Sequence, residues 1–481
     1  MSESVHISIK GQPGGQPGGQ PRGQPGPGSG PGSGPGSGPG GGLGSLPGSH
    51  LATAGVALEG AGRGERPAVR SLYIHTPFCA HKCDYCDFYS FVDTQDLQAA
   101  FVRRLCAELE ALAKHSAGAP LRTIFVGGGT PSLLRVELWR DVLACLSDHY
   151  DLGLIRKWQS GDEQEGVLRS WPEAEFTVEC NPESASAELF DVLHGGGVGR
   201  VSMGAQSFLP KHLSTLQRLH RPERVAVALE AARAAGIARR SLDLIYAVPG
   251  QTLEEWAVDV STALSLGTTH LSCYNLTYEP STGMTNRLKR GEVTAVDEEV
   301  ESLMFEHTGL VLERAGLKRY EVSNYAVPGH ESRHNLAYWL GEQWLAAGPS
   351  ASGHVWAGAS AQGGGHRFKN VGGMSAYLAG GADGYSPIGD HEPPDPVRAL
   401  RERVMTGPRL AVGVDVEGVL ADAVLVRPAC AARLEAAALE LVGDGLLVEA
   451  VDGGRRRWRV TPGGWLMADF VAKRLMKAVG E

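Results

Sequence analysis

The sequence predicts an α/β protein: a partial (β/α)6 TIM-like barrel, a smaller C-terminal α+β domain of winged-helix-like form, and a disordered N-terminal tail. Three observations support this. Strand and helix patterns alternate through six units from Ser71 onward, as in parallel βαβ folds. The alternation stops near residue 375, and the first 66 residues are rich in glycine and proline. We therefore expect three units, at residues 1–66, 67–374 and 375–481.

The tail is defined by its composition. Residues 11–42 repeat GQPGG and PGSG units, which carry almost no side chains to bury. Such a segment cannot offset the entropy lost on ordering, and its irregular glycine spacing does not fit a collagen triple helix. We expect a solvated tail; a linker to a partner is the alternative.

The barrel elements follow from hydrophobic periodicity. The predicted strands are SLYIH, RTIFVGGG, EFTVEC, RVSMGAQS, SLDLIYAVPG and HLSCYNLT. The predicted helices between them are DLQAAFVRRLCAELEALAKH, VELWRDVLACLSDHY, SAELFDVLHGGG, RVAVALEAARAAG and TLEEWAVDVSTALSLG. The stretch IRKWQSGDEQEGVLRSWP has no period, and we expect it to be a loop insertion.

The C-terminal unit has a different pattern. PDPVRALRERVMTG and ARLEAAALELVGDGLL predict helices, VEAVDGGRRRWRVT predicts a hairpin around Asp-Gly, and GWLMADFVAKRLMKAV predicts a last helix. This order is compatible with a winged helix. Its only basic run is RRRWR, for which a solvated hairpin is favoured over a nucleic-acid surface.

Charge and composition exclude several classes of protein. The formal net charge is -9 and the pI is near 6.0, so no basic field attracts nucleic acid. No apolar run reaches 18 residues, and the N-terminus resembles neither a secretory signal nor an Arg-rich presequence. Eight cysteines are too few for a disulfide scaffold in 481 residues. These features predict a cytoplasmic protein with metal-binding cysteines.

The main motif is Cys79-Ala-His-Lys-Cys83-Asp-Tyr-Cys86, directly after the first predicted strand. Three thiolates on one loop can hold an iron–sulfur cube and leave one iron open to a small molecule. The alternative is a zinc site, with His81 or His75 as the fourth ligand. The cluster is favoured, because zinc sites usually show two paired ligand sets.

Glycines and polar residues recur at later strand ends. Gly127, Gly128 and Gly129 precede Thr130 after the second strand, and such a turn exposes backbone groups to a ligand or forms a tight loop. The polar residues in question are Glu179, Gln206 and Asp243, with Arg218 in LQRLHR. The mouth of a βα barrel is where such side chains converge on a ligand.

CAHKCDYC together with GGGTPS resembles the radical-SAM superfamily, and TPFCAHKCDYCDF, FVGGGTPSLL, GAQSF, LDLIYAVPGQT and LTYEPST resemble its oxygen-independent coproporphyrinogen III oxidase-like branch. The resemblance covers residues 67–481. It implies a 4Fe–4S cluster on the three cysteines, bound S-adenosylmethionine, and a protein that supplies reducing electrons. It also implies cofactor contacts, at Tyr73, Tyr85, Gly128, Gly129, Thr130, Glu179, Gln206, Arg218 and Asp243.

Two functions within this branch compete. One is a coproporphyrinogen III dehydrogenase of porphyrin metabolism, whose pattern has a cysteine where this chain has Phe88. The other is the HemW-type heme chaperone, whose motif His-Asn-x-x-Tyr-Trp stands here as His334, Asn335, Tyr338 and Trp339. Both features favour the chaperone. We therefore expect no decarboxylation of coproporphyrinogen III.

The chaperone reading implies heme, heme-accepting partner proteins, and membrane contact only through an acceptor. His334 is then a candidate heme contact, and Tyr338 and Trp339 offer flat apolar surface. From the residues alone, a buried histidine held by hydrogen bonds beside two core aromatics is the favoured interpretation of His334. The resemblance favours heme contact near this motif instead.

Overall fold

The computed structural model describes residues 67–160 and 174–480. The predicted disorder of residues 1–66 concerns a segment outside this range. Among the described helices, none is long and apolar enough to cross a bilayer.

A nine-stranded sheet forms the centre of the molecule. Its strands are β1 (Ser71–Thr76), β2 (Thr123–Gly128), β3 (Glu175–Cys180), β4 (Arg200–Gln206), β5 (Arg239–Tyr246), β6 (His270–Asn275), β7 (Lys318–Glu321), β8 (Asn324–Ala326) and β9 (Leu345–Ala347). The order across the sheet is β7-β8-β6-β5-β4-β3-β2-β1-β9. Strands β1 to β6 are parallel neighbours in chain order, and β7 and β9 are open edges. The predicted α/β partial barrel is confirmed, with three further strands that the sequence pattern did not predict.

Helices pack around this sheet. Those of the barrel are α1 (Gln98–Ala113), α2 (Val136–His149), α3 (Gly153–Ser160), α4 (Ala187–Gly195), α5 (Pro210–Thr215), α6 (Glu223–Ala234), α7 (Leu253–Ser265), α8 (Gly283–Lys289), α9 (Glu298–Arg314), α10 (Arg333–Trp339) and α11 (Met374–Ala379). Helix α7 starts at a capping box in which Thr252 and Glu255 satisfy each other's backbone N–H groups. Apolar residues of α1, α2 and β1, such as Phe101, Trp139 and Ile74, share one core.

The expected loop insertion is wrong in its first part. Residues 153–160 form α3, because Ile155 and Trp158 repeat at helical spacing and are both buried against the barrel. Gly199 leaves room for the Trp158 ring, and the Arg239 guanidinium lies 4.4 Å from its centroid. The rest of the predicted insertion lies outside the described residues.

A second sheet crosses the boundary predicted between residues 374 and 375. It consists of β10 (Ser352–Trp356), β11 (Gly365–Asn370) and β12 (Ile388–Glu392), all antiparallel. Tyr377 and Ile388 belong to the barrel core, whereas the second large core starts at Leu400. The boundary stays a prediction, and these contacts favour one that follows β12.

The C-terminal unit packs four helices against a three-stranded antiparallel sheet. Its elements are α12 (Pro396–Thr406), β13 (Val414–Asp415), α13 (Val416–Val426), α14 (Pro428–Gly443), β14 (Leu447–Asp452), β15 (Arg455–Val460) and α15 (Ala468–Val479). The predicted hairpin is confirmed, and α13 was not predicted. In the basic run, Arg456 donates to Glu449 at 2.9 Å and Arg459 to Asp452 at 2.9 Å. Acidic neighbours therefore offset part of its positive charge.

Candidate metal centre and ligand cavity

A cavity of about 920 Å³ opens at the carboxyl ends of the parallel strands. This volume is near the upper end of ligand-binding pockets. Eleven of the thirteen predicted site residues line it: Cys79, Cys83, Cys86, Tyr85, Gly128, Gly129, Thr130, Glu179, Gln206, Arg218 and Asp243. The barrel topology therefore brings together residues spread over more than 160 positions of sequence.

The three cysteines lie on the loop that follows β1. Its base is closed by two backbone hydrogen bonds, from Cys79 N–H to the Phe91 carbonyl and from Phe91 N–H to the Pro77 carbonyl, both 3.0 Å. Its tip is held at Asp84, whose carbonyl accepts the Met284 N–H at 2.8 Å and whose carboxylate pairs with Arg287 at 3.2 Å. The loop is thus held at its base and at its tip by contacts with the rest of the protein.

Two of the sulfurs have polar donors beside them. The Thr130 hydroxyl donates to Cys79 Sγ at 3.6 Å, and the Arg218 Nη1 group donates to Cys83 Sγ at 3.6 Å. Arg218 is itself fixed by a bond from Nη2 to the Gly204 carbonyl at 2.9 Å. These two contacts fix the positions of the Cys79 and Cys83 sulfurs at the cavity wall.

The donor set bears on the choice between zinc and a cluster. Within residues 67–160 and 174–480, no three His, Cys, Asp or Glu side chains are placed to hold one metal ion. Both ring nitrogens of His75 already have partners, the Tyr73 hydroxyl at 3.0 Å and the Tyr89 carbonyl at 2.8 Å. The three thiols line one cavity. Three thiolates on one loop are the donor set of a four-iron cube with one open iron.

The glycine turn after β2 requires glycine at two positions. Gly128 has φ +104°, and a Cβ there would lie 2.4 Å from Cε1 of His75. A Cβ on Gly129 would lie 2.7 Å from the Phe78 carbonyl oxygen. The backbone of the turn therefore packs directly against the start of the cysteine loop, as close approach by glycine allows.

Polar side chains line the cavity below this turn. Glu179 accepts the Gly128 N–H at 3.3 Å, and Asp243 accepts the Ser202 hydroxyl at 3.1 Å. Gln206 is 3 % exposed, and its Oε1 has no hydrogen-bond partner among the described residues; the same holds for Nε of Arg218. Unpaired buried polar atoms are costly, so these two groups are suited to a polar ligand in the cavity.

Gln206 is aimed into the cavity by a strained turn. It has φ +62°, and the Ser207 N–H donates to the Ala205 carbonyl at 2.7 Å, which makes a γ-turn of the rare kind. Asp259 holds this turn: it accepts the Ser207 hydroxyl at 2.8 Å and the Phe208 N–H at 2.6 Å. Burial raises the pKa of Asp259 to about 6. Sequence reasoning missed Asp259, because it lies inside an ordinary amphipathic helix.

The C-terminal unit supplies the outer wall of the cavity. Trp465, Leu466 and Met467 line it together with Phe305 of α9. Leu466 and Met467 are 40 % and 43 % exposed, so their apolar surface is open to a ligand in the cavity. The prediction that all three belong to the last helix is wrong: they lie in a short 3-10 turn (Pro462–Met467) that precedes α15. The sequence signal for these residues is a short apolar run, which comes just before the amphipathic pattern of α15 begins.

Tyr73 and His334 lie elsewhere. They line an inner chamber of about 80 Å³ that adjoins the cavity, with Glu179 and Asp243 bordering both spaces, and Tyr338 also lines it. His334 is 1 % exposed; its Nδ1 lies 2.7 Å from the Thr123 hydroxyl and its Nε2 lies 2.8 Å from the Tyr338 hydroxyl. Burial lowers the pKa of His334 to about 3, so it is neutral. This geometry favours the buried, hydrogen-bonded histidine over a direct ligand of heme.

The chain is similar to proteins of known families. The sequence profile described as the Radical SAM superfamily matches residues 73–262. A Mycobacterium tuberculosis protein named "Heme chaperone HemW" is 35% identical over 408 residues, which is 84% of this chain and 94% of that protein. A Bacillus subtilis protein of the same name is 34% identical, over 72% of this chain and 85% of its own length.

Solved structures show the same fold. The structure of coproporphyrinogen III oxidase (HemN) from Escherichia coli, described as a radical SAM enzyme, superposes with a TM-score of 0.69 at 20% identity. It covers 87% of this chain and 92% of its own. At this identity the likeness concerns the fold alone, and it includes the C-terminal unit as well as the barrel.

Proposed function

Since this chain belongs to the HemW family of the radical SAM superfamily, we propose that it is a heme chaperone, which binds heme and passes it to acceptor proteins. The observation that carries the proposal is the similarity to proteins named heme chaperones over nearly their whole length, 94% in one case. Heme-accepting proteins and a protein that reduces the cluster are the proposed partners. Contact with a membrane arises only through an acceptor.

Membership of the superfamily implies a 4Fe–4S cluster and S-adenosylmethionine. Cys79, Cys83 and Cys86 are proposed to hold the cluster. When bound, such a cluster supplies one open iron for chelation and an electron for reduction. Arg218 and Thr130, which donate to two of the sulfurs, hold those cysteine side chains in position.

The remaining predicted contacts are proposed to hold S-adenosylmethionine. Gly128 and Gly129 let the ligand approach the backbone beside the cysteine loop, since no Cβ fits there. Glu179 and Asp243 are acceptors suited to hydroxyl groups, and the unpaired Oε1 of Gln206 is a further acceptor. Tyr85 packs at the cavity wall, whereas Tyr73 acts from the inner chamber, through its bond to His75.

Heme is proposed to bind in the outer part of the large cavity. Trp465, Leu466, Met467 and Phe305 give it an apolar wall on which a flat macrocycle can stack. The inner chamber, at about 80 Å³, is far smaller than the roughly 300 Å³ at which ligand pockets begin. Contact between heme and His334 is a separate prediction, which requires Thr123 or Tyr338 to release a ring nitrogen.

The alternative function is decarboxylation of coproporphyrinogen III. Phe88 lines both the cavity and the inner chamber, at the place where the dehydrogenase pattern has a cysteine. A phenyl ring can neither carry a proton nor an electron as a thiol does. We therefore expect no turnover of this substrate.

The test begins with anaerobic reconstitution of the full chain with iron and sulfide. Hemin is then titrated, and the loaded protein is mixed with an apo heme protein whose Soret band differs. Near-stoichiometric hemin binding, followed by transfer, supports the chaperone. A parallel assay contains S-adenosylmethionine, a strong reductant and coproporphyrinogen III. Repeated turnover to protoporphyrinogen IX would contradict the chaperone function and support the dehydrogenase instead. Failure to bind hemin would also contradict the proposal.

A further inference from the structure

Five cysteines lie outside the cluster motif, and two of them are neighbours in space. Cys106 is on α1 and Cys145 is on α2. Sγ of Cys145 lies 3.6 Å from the carbonyl oxygen of Cys106, so the two residues are neighbours where α1 packs against α2. Neither residue lines the ligand cavity or the inner chamber. The proposed function therefore leaves this pair unexplained.

The pair joins the two helices that leave the cofactor-binding loops. Helix α1 follows the cysteine loop, and α2 follows the glycine turn. Their first turns are already linked, since Gln98 accepts the Arg135 N–H at 3.1 Å and donates to the Leu133 carbonyl at 3.3 Å. Cys106 and Cys145 lie about two turns further along their helices. A bond between them would therefore be a second link between α1 and α2.

The two thiols differ in reactivity. Cys106 is partly exposed, whereas Cys145 is buried. The hydrogen bond from the Cys145 thiol lowers the pKa of Cys106, and the same contact together with burial raises the pKa of Cys145. A reagent in solution therefore meets Cys106 first, as the better thiolate, with a second thiol held beside it.

We propose that Cys106 and Cys145 form a redox-active dithiol, a modification site separate from the cluster, which small-molecule disulfides oxidise to a disulfide linking α1 to α2. The Cys106 thiolate attacks one sulfur of the oxidant, whose S–S bond breaks and releases one thiol. Cys145 then loses its proton and attacks Cys106, which releases the second thiol. The oxidant gains two electrons and two protons, and the protein gains one S–S bond.

The bond is expected to stabilise the barrel. It would cross-link residues 106 and 145 in the unfolded chain and leave the folded helices in place. A loop of about 40 residues predicts a rise in melting temperature of roughly 5–10 °C, if the bond forms without strain.

The experiment uses the full chain, reduced, then incubated anaerobically with glutathione disulfide. Remaining thiols are alkylated, and a digest without reductant is analysed by mass spectrometry. We expect a linked Cys106–Cys145 peptide, with a rise in melting temperature that dithiothreitol reverses. Cys106→Ser and Cys145→Ser should each abolish both signals. Cys430→Ser, whose thiol faces backbone carbonyls of α15, should leave them unchanged.

A glutathione adduct on Cys106 with no linked peptide would overturn the proposal, as would recovery of both cysteines as free thiols. The wild-type digest decides the matter even where a serine variant fails to fold. Iron content is measured separately, so that loss of the cluster and absence of the disulfide are distinguishable.

Discussion

Gly128→Ala tests whether the glycine turn and the cysteine loop are one packed unit. The added methyl group would lie 2.4 Å from the His75 ring, and Gly128 has φ +104°. His75 ties the loop to the barrel, because its Nε2 donates to the Tyr89 carbonyl and its Nδ1 accepts the Tyr73 hydroxyl. The substitution therefore displaces the residue that fixes the cysteine loop.

The magnitude follows from two contributions. A non-glycine residue in a left-handed conformation costs about 1–2 kcal/mol. Loss of the two His75 hydrogen bonds costs about 1 kcal/mol each. A total of about 3 kcal/mol predicts a melting temperature lower by roughly 4–6 °C, and a lower iron content after reconstitution, because the loop is no longer held.

Gly195→Ala is the matched control. Gly195 ends α4, its φ is not positive, and no atom lies within 4 Å of a Cβ built there. Both substitutions restrict the unfolded chain equally, so their difference isolates the folded state. Differential scanning fluorimetry and iron analysis measure the outcome. A Gly128→Ala protein that melts with the control and keeps its iron would refute the packing argument.

Four further predictions concern the metal, a histidine, the heme wall and the tail. Reconstituted protein should hold about four irons per chain, which Cys83→Ala abolishes without unfolding the barrel; stoichiometric zinc without iron would contradict the cluster. His334 has a pKa of about 3 against about 6.5 unfolded, so the unfolded chain alone binds a proton as the pH falls below 6.5. The free energy of unfolding should thus drop by about 2 kcal/mol on going from pH 7 to 5. In urea titrations, the His334→Gln protein should lack this part of the drop. Identical pH dependence of the two proteins would contradict the prediction. Trp465→Ala should weaken hemin binding roughly tenfold, while the exposed Phe470→Ala outside the cavity should not; equal affinities would place heme elsewhere. Deleting residues 1–60 should leave iron content and melting temperature nearly unchanged, and a large loss of stability would mean that the tail docks on the barrel.

The local pattern of the sequence was enough to predict most of the barrel. Alternating apolar runs and amphipathic segments fixed β1 to β6 and the helices between them, since each of these periods is set within a few residues. The cysteine motif and the glycine turn each follow a predicted strand. They were therefore predicted to lie on the same face of the barrel, because parallel strands end at one edge. Eleven of the predicted site residues do line one cavity there.

Weak local signals failed where burial is decided by distant residues. Helix α3 reads as an aperiodic loop, yet Trp158 is buried because Gly199 leaves space for its ring. Strands β7 to β9 are only three or four residues long, too short for a period to show. Their place in the sheet comes from hydrogen bonds to β6 and β1.

What the sequence determined by itself was therefore the order of most barrel elements and the family. Only the tertiary structure decided which side chains share a space. It placed Trp465 and Met467 on the cavity wall, and His334 in a chamber with both nitrogens bonded. It also brought Cys106 beside Cys145. The physical reason is that such contacts join residues tens to hundreds of positions apart in the chain. The distance between them in space is set only when the helices and strands pack.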